Sequence, residues 1–331
     1  MLKNKSILIT GGTGSFGSRF AEYILNNFKN IKKIVIFSRD ELKQHDMSLR
    51  KPFFKNKKVR FFLGDIRDKS RLLRAFSEID IVVHAAALKQ VPAAEYNPIE
   101  FVKTNIIGSQ NIIEACIDKN VKQLIALSTD KAVSPINLYG ATKLCADKLF
   151  LAANNYAGIQ KYKFSVVRYG NVISSRGSVI PKFKEINKDK NKSYFPVTSD
   201  KMTRFLISLE EGIKTVIFAL KNQIGGEIFV PKIPSARIVD ICKAINPKKK
   251  IKIVGVRPGE KIHEELISEF DSLNTIDIGN YYLILPSQDN DRIKKIYIKK
   301  FSIKKLSESF SYNSLDNKYL NISQLKNILS L

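Results

Sequence analysis

Tyr139 and Lys143 stand four residues apart, at the end of a stretch that begins Ser128-Thr129-Asp130-Lys131. On a helix that spacing puts the phenol and the amine on one face, one turn apart. An ammonium beside a phenol stabilises the phenolate and lowers the tyrosine pKa, which would suit a base near neutral pH. Just upstream, Thr129, Asp130 and Lys131 crowd a hydroxyl, a carboxyl and an amine directly after the apolar run Leu124 to Leu127. That run reads as a buried strand, and open parallel sheets bind their ligands at the carboxyl ends of strands. Tyr-x-x-x-Lys alone is short enough to occur on any amphipathic helix, so the neighbouring elements must carry the argument.

The N-terminus supplies the first of them. Ser6 to Ile9 reads as a strand, followed by Gly11, Thr13, Gly14, Ser15, Phe16 and Gly17, then a helical pattern to Leu25. Three glycines three apart, between a strand and a helix, make a dinucleotide turn. The first allows the sharp bend, the second lets the backbone approach a pyrophosphate, and the third lets helix and strand pack closely. The helix N-terminus adds amide donors and a positive dipole for the phosphates. The second strand, Ile34 to Phe37, ends in Ser38-Arg39 where a carboxylate would bind a ribose 2′-hydroxyl. Arg39, with Lys43 nearby, would instead neutralise a 2′-phosphate, so NADP is expected over NAD.

Strand three, Val59 to Leu63, leads into Asp65-Ile66, placed to meet the adenine. Strand four, Ile79 to Val83, leads into His84 and the small residues Ala85, Ala86 and Ala87, against which a cofactor could lie. His84 reads as a packing residue. Lys89 would face cofactor or sugar. Asn105, in a helical stretch from Ile99 to Ala115, would either serve the cofactor or bond to backbone as a buried polar group. Strand six, Phe164 to Val167, ends in Arg168-Tyr-Gly-Asn171. Alternating strands and helices to this point predict an α/β fold with a doubly wound, Rossmann-type parallel sheet over residues 1–172. After about Asn171 prolines separate shorter elements, such as a helix from Leu209 to Leu220. Residues 173–331 are expected to form a smaller mixed lobe over the cofactor crevice, with segments free to return to the sheet. Short apolar runs at Tyr281 to Leu285 and Leu320 to Leu331 would pack on the body of the protein or on a partner subunit.

Composition narrows the function classes. The net charge of +25 raises the question of nucleic acid, but the lysines are spread along the chain and do not interleave with aromatics in a base-stacking stripe. A solvated basic surface that steers anionic substrates is the better reading. No apolar run reaches the roughly 18 residues of a membrane span, and no leader is apparent. Cys116, Cys145 and Cys242 lie far apart, as do the three histidines. Neither a disulfide framework nor a metal site is expected, and a cytoplasmic location fits.

The glycine turn, the Asp65 turn, the alanine cluster and the Tyr139/Lys143 pair resemble the extended short-chain dehydrogenase/reductase family. Within it, Ser128 to Pro135, Arg168 to Val172, Met202-Thr-Arg204-Phe205 and Arg257-Pro-Gly-Glu260-Lys261 resemble the inverting UDP-N-acetylglucosamine 4,6-dehydratases, which open pseudaminic acid biosynthesis. Longer relatives carry N-terminal membrane spans, and this sequence resembles the short soluble type. The resemblance implies that Tyr139, aided by Lys143, removes the C4 hydroxyl proton as hydride leaves C4. Asp130 would be the acid at C6 and Lys131 the base at C5, where retaining dehydratases carry an Asp-Glu pair. Lys89, Asn171, Arg204, Arg257 and Glu260 would bind UDP-N-acetylglucosamine, and a homo-oligomer, dimer or hexamer, is expected. A nucleotide-sugar 4-epimerase or a retaining 4,6-dehydratase would share the cofactor fold, and a nucleotide-binding regulator is the non-enzyme alternative.

Overall fold

The computed structural model describes residues 1–157, 162–173, 177–288, 290–303, 306 and 309–329. Its frame is a nine-stranded sheet. The first half alternates β1 (Ser6–Thr10), α1 (Ser15–Asn27), β2 (Lys33–Ser38), α2 (Glu41–Ser48), β3 (Val59–Leu63), α3 (Lys69–Ala75) and β4 (Ile81–His84). Next come α4 (Val91–Tyr96), α5 (Pro98–Phe101), a π-helical segment (Val102–Ile107), α6 (Gly108–Asp118), β5 (Gln123–Thr129), a 3-10 turn (Asp130–Ala132), α7 (Leu138–Tyr156) and β6 (Lys163–Tyr169). The strands are apolar on both faces because helices cover both faces; β1 is buried at all five positions. Helix starts follow local chemistry. Asp40 and Asp68 cap α2 and α3, and the Asn137 side chain accepts from the Gly140 amide to start α7.

The second half runs β7 (Asn171–Val172), α8 (Val179–Lys188), β8 (Tyr194–Val197), β9 (Thr203–Ile207), α9 (Leu209–Asn222), β10 (Ile228–Pro231), β11 (Ser235–Arg237), α10 (Ile238–Ile245) and β12 (Lys250–Ile253). It ends with β13 (Glu265–Ile267), α11 (Glu269–Ser272), β14 (Thr275–Asp277), β15 (Tyr281–Ile284), α12 (Asn290–Lys300), β16 (Tyr312–Asn313) and α13 (Ile322–Leu329). Ser208 and Glu211 form a reciprocal capping box at the start of α9.

The large sheet has the order β14-β15-β10-β6-β5-β4-β1-β2-β3. β3 through β10 pair in parallel, whereas β15 runs antiparallel to β10 and β14 to β15. The strand order reverses at β1 and β4, which opens a crevice at their carboxyl ends. Three strands from beyond residue 172 thus extend the sheet. The remainder builds its own core of Phe183, Phe195, Leu206, Ile241 and Leu325, where α13 packs on α10. Of the run ending at Leu331, Ser330 and Leu331 lie outside the described residues. The stretch Ile99 to Ala115 is not one regular helix: residues Val102–Ile107 widen into a π-turn beneath the crevice.

Candidate active site

The crevice holds a cavity of about 950 Å³. Every candidate catalytic, cofactor or substrate residue read from the sequence lines it except Asn105 and Asp130. At one end the β1–α1 turn is built for close approach. Gly11 has φ +63°, and a Cβ there would lie 2.9 Å from the Ala86 Cα and N. A Cβ on Gly17 would lie 2.6 Å from the Gly11 oxygen, so side chains are sterically shut out of the turn. Gly14, as N-cap, adds no side chain to the first amides of α1. These features fit the diphosphate of a dinucleotide. Beyond it, the Thr13 and Ser38 hydroxyls hydrogen-bond at 2.8 Å, and Arg39 is exposed, 3.6 Å from Asp65. Asp65 is held more tightly by Arg67, at 2.8 Å, and Lys43 by Asp40. A nicotinamide dinucleotide is the cofactor class that this wall suits.

Asn105 does a different job from cofactor binding. It is buried; its Oδ1 accepts from the Leu88 amide at 2.9 Å, while its Nδ2 donates to the Leu88 carbonyl at 2.9 Å and to Thr142 Oγ1 at 3.0 Å. It clamps the loop that presents Lys89. His84 is packed away, its ring 2.7 Å from Thr10 Oγ1, and burial drives its pKa down to about 3.

The chemical centre lies where β5 meets the 3-10 turn and α7. Tyr139 and Lys143 share a face of α7, but the electrostatics differ from expectation. Burial pushes the Tyr139 phenol up to about 12, and the opposing influences are the Lys131 charge and the Thr129 hydroxyl. Lys143 is turned to the strand, its Nζ donating to the Leu127 carbonyl at 2.8 Å, and burial lowers its pKa. Lys131 is thus a cation whose charge favours the phenolate. Behind Lys143, Asp147 accepts from Ser128 Oγ at 2.6 Å and pairs with Arg168 at 3.6 Å; Arg168 also meets Asp271 at 2.8 Å.

Asp130 is fully buried behind the wall. It pairs with Lys131 at 3.0 Å and accepts from Thr129 Oγ1 at 2.8 Å, and burial raises its pKa. Lys131 has a second carboxylate at 3.0 Å, that of Glu264, a residue not foreseen from the sequence. Burial disfavours the Lys131 charge, but Asp130 and Glu264 together hold its pKa above the ordinary value. Arg204, expected to hold a diphosphate, is only 5% exposed. Its NH groups donate to the carbonyls of Thr203, Lys261 and Ile262 at 2.7–3.0 Å, and its Nε lies 3.6 Å from Glu264. Its fork is committed to the protein. Arg257 is the exposed arginine at the mouth, with Lys261 half-buried beside it and bonded to the Val133 carbonyl at 2.7 Å. Glu260 accepts from Thr198 Oγ1 at 3.2 Å, and Asn171 Oδ1 lies 3.5 Å from the Lys131 amine.

Glycine turn, switch-point crevice and the Tyr139/Lys143 helix are together the marks of the extended short-chain dehydrogenases/reductases. The chain belongs to the family described as "Polysaccharide biosynthesis protein", whose model matches residues 7–286. It is 51% identical to a Campylobacter jejuni protein named UDP-N-acetylglucosamine 4,6-dehydratase (inverting), over 96% of this chain and 94% of that one. It is 41% identical to a Rickettsia bellii protein named UDP-glucose 4-epimerase, over 99% and 96%. Among solved structures, Pen from Bacillus thuringiensis superposes with a TM-score of 0.88 at 34% identity, covering 99% of each chain. No helix among the described residues is long and apolar enough to cross a membrane, and no group of three or more His, Cys, Asp or Glu among them could hold a metal.

Proposed function

We propose that this protein is an NADP-dependent 4,6-dehydratase that acts on UDP-N-acetylglucosamine and inverts C5, giving UDP-2-acetamido-2,6-dideoxy-β-L-arabino-hex-4-ulose. The observation that carries the reading is the Lys131 amine, held at the cavity wall by two buried carboxylates beside Tyr139. A hydride exchange at C4 alone, as in an epimerase, has no use for such a group. The 51% identity to a protein named for this dehydration supports it further.

When bound, the nicotinamide supplies the acceptor for the C4 hydride and its later donor to C6. Tyr139 accepts the C4 hydroxyl proton, its phenolate favoured by the Lys131 charge once substrate has displaced water. The C4 ketone acidifies the C5 proton. Lys131 passes one proton to Asp130, 3.0 Å away, and its free amine takes the C5 proton. Asp130, now a carboxylic acid, protonates the departing C6 hydroxyl through Thr129, whose hydroxyl touches Asp130 and lines the cavity. Water leaves, C5 takes a proton from solvent on the opposite face, and Tyr139 returns its proton to solvent. Arg257 and Lys89 are exposed cations of the cavity that would meet the UDP diphosphate, and Arg39 and Lys43 would meet a 2′-phosphate.

The test is incubation with UDP-N-acetylglucosamine and no added cofactor. The expected product is lighter by one water, with NADP released on denaturation and no net change in reduced nicotinamide. Stoichiometric consumption of added NADPH would instead make the protein a reductase.

A further inference from the structure

Glu264 lies 133 positions from Lys131 in the chain, yet reaches it at 3.0 Å and lines the same cavity. It is 1% exposed, and its Oε2 has no hydrogen-bond partner. Its backbone is pinned: the Glu264 amide donates to Ser314 Oγ at 2.9 Å, and the Ser314 amide donates to the Glu264 carbonyl at 2.8 Å. A carboxylate with a free buried oxygen is costly for stability alone, so its retention beside the amine calls for a use.

We propose that Glu264 is a positioning residue of the site, whose buried carboxylate, shared between Lys131 and Arg204, holds the Lys131 amine at the cavity wall and governs its proton. This inference rests on the dehydration reading above. The division of labour between the two carboxylates follows from their neighbours. Asp130 is fully buried and its pKa is raised, which suits a group that picks up and gives back a proton. Burial acts on Glu264 too, but the charges of Lys131, Arg204 and Lys261 outweigh it and hold Glu264 below the ordinary value. Arg204 and Lys261 still favour the ionised Glu264 while the proton moves between Lys131 and Asp130. The charged and titratable groups facing the Lys131 amine are Asp130 from the 3-10 turn, Glu264 ahead of β13, Arg204 from β9, Lys261 from the preceding loop and Tyr139 from α7. Among them only Asp130 and Glu264 are carboxylates that favour the ammonium, and Asp130 gives up that charge when it takes the proton. Removing the Glu264 charge must therefore free the amine at lower pH.

Two measurements on the purified holoenzyme test this. The first is the pH dependence of methyl-product formation in single turnovers. Its limb that falls as pH rises reports loss of the proton that Lys131 and Asp130 share, and in Glu264→Gln it should move to lower pH by about one to three units, the effect typical of losing one close opposite charge. Glu264→Asp keeps the charge but draws it back, so its limb should move the same way by less. That variant serves should Glu264→Gln fail to fold. The second measurement is acetylation of the Lys131 amine by acetic anhydride against pH, mapped by peptide mass, which needs no turnover. Its midpoint should move in step. A folded variant whose acetylation midpoint stays at the wild-type pH, or rises, overturns the role of Glu264. Shifted acetylation in a protein that forms no methyl product upholds it and refutes the dehydration reading instead.

Discussion

Lys131→Met keeps most of the side chain's length and removes the charge that two buried carboxylates share, Asp130 and Glu264, each at 3.0 Å. Leaving a buried charge unpaired costs about 3–5 kcal/mol. Arg204, 3.6 Å from Glu264, still offsets one of the two, so Asp130 is the orphan. It escapes by taking a proton, and that cost rises with pH. From the ordinary value of 3.8, holding it protonated costs about 1.4 kcal/mol per pH unit, or about 4 kcal/mol at pH 7 and about 1.6 kcal/mol at pH 5. A carboxyl whose folded pKa is raised contributes stability fully below its unfolded pKa, and that contribution is lost as pH rises toward the folded one. The variant should therefore lie about 3–4 kcal/mol below the wild type near pH 7, with the gap closing on acidification. Urea unfolding of both proteins at several pH values measures it. In the same variant, substrate should still reduce the bound nicotinamide, seen by absorbance, while methyl product falls by about 10²–10⁴-fold, the typical worth of a general base. A stability gap that ignores pH, or normal methyl formation, would refute the reasoning.

Tyr139→Phe should abolish both the absorbance change and the product, because hydride cannot leave C4 while the hydroxyl keeps its proton; a retained absorbance change would move the C4 base elsewhere. Arg39→Asp should shift cofactor preference from NADP toward NAD, since it exchanges a 2′-phosphate partner for a 2′-hydroxyl acceptor, while Arg67 keeps Asp65 paired at 2.8 Å. Competitive binding of the two cofactors reads the ratio, and an unaltered ratio would show that Arg39 does not meet the 2′-phosphate.

What could be read from the sequence was local. Glycines at 11, 14 and 17, strand alternation and the four-residue step from Tyr139 to Lys143 are short-range patterns that determine backbone shape directly, and the sheet and crevice follow from them. The electrostatics were not legible, because they depend on depth and on distant chain. Spacing paired Lys143 with Tyr139, but it could not show that the Lys143 amine donates to the Leu127 carbonyl or that the Lys131 charge also reaches the phenol. Arg204 sat in a suggestive motif, but only the tertiary fold brings three carbonyls to its fork. Asn105 shows the same limit, since a buried amide and a cofactor ligand have one sequence signature. Glu264 is the clearest case: it lies three residues past the Arg257–Lys261 motif, and nothing short of the turn into β13 aims it at Lys131. Of the returning strands, β15 lies in the apolar run Tyr281 to Leu285, but β10 and β14 were hidden, because three- and four-residue strands offer too few positions for a period to register.

Proton NMR of the purified protein with UDP-N-acetylglucosamine in deuterated water tests the central claim most directly. The account predicts a new C6 methyl resonance, deuterium at C5 and inverted configuration there, without added cofactor. A product that keeps its C6 hydroxyl and differs only at C4 would make the protein an epimerase and contradict the role given to Lys131.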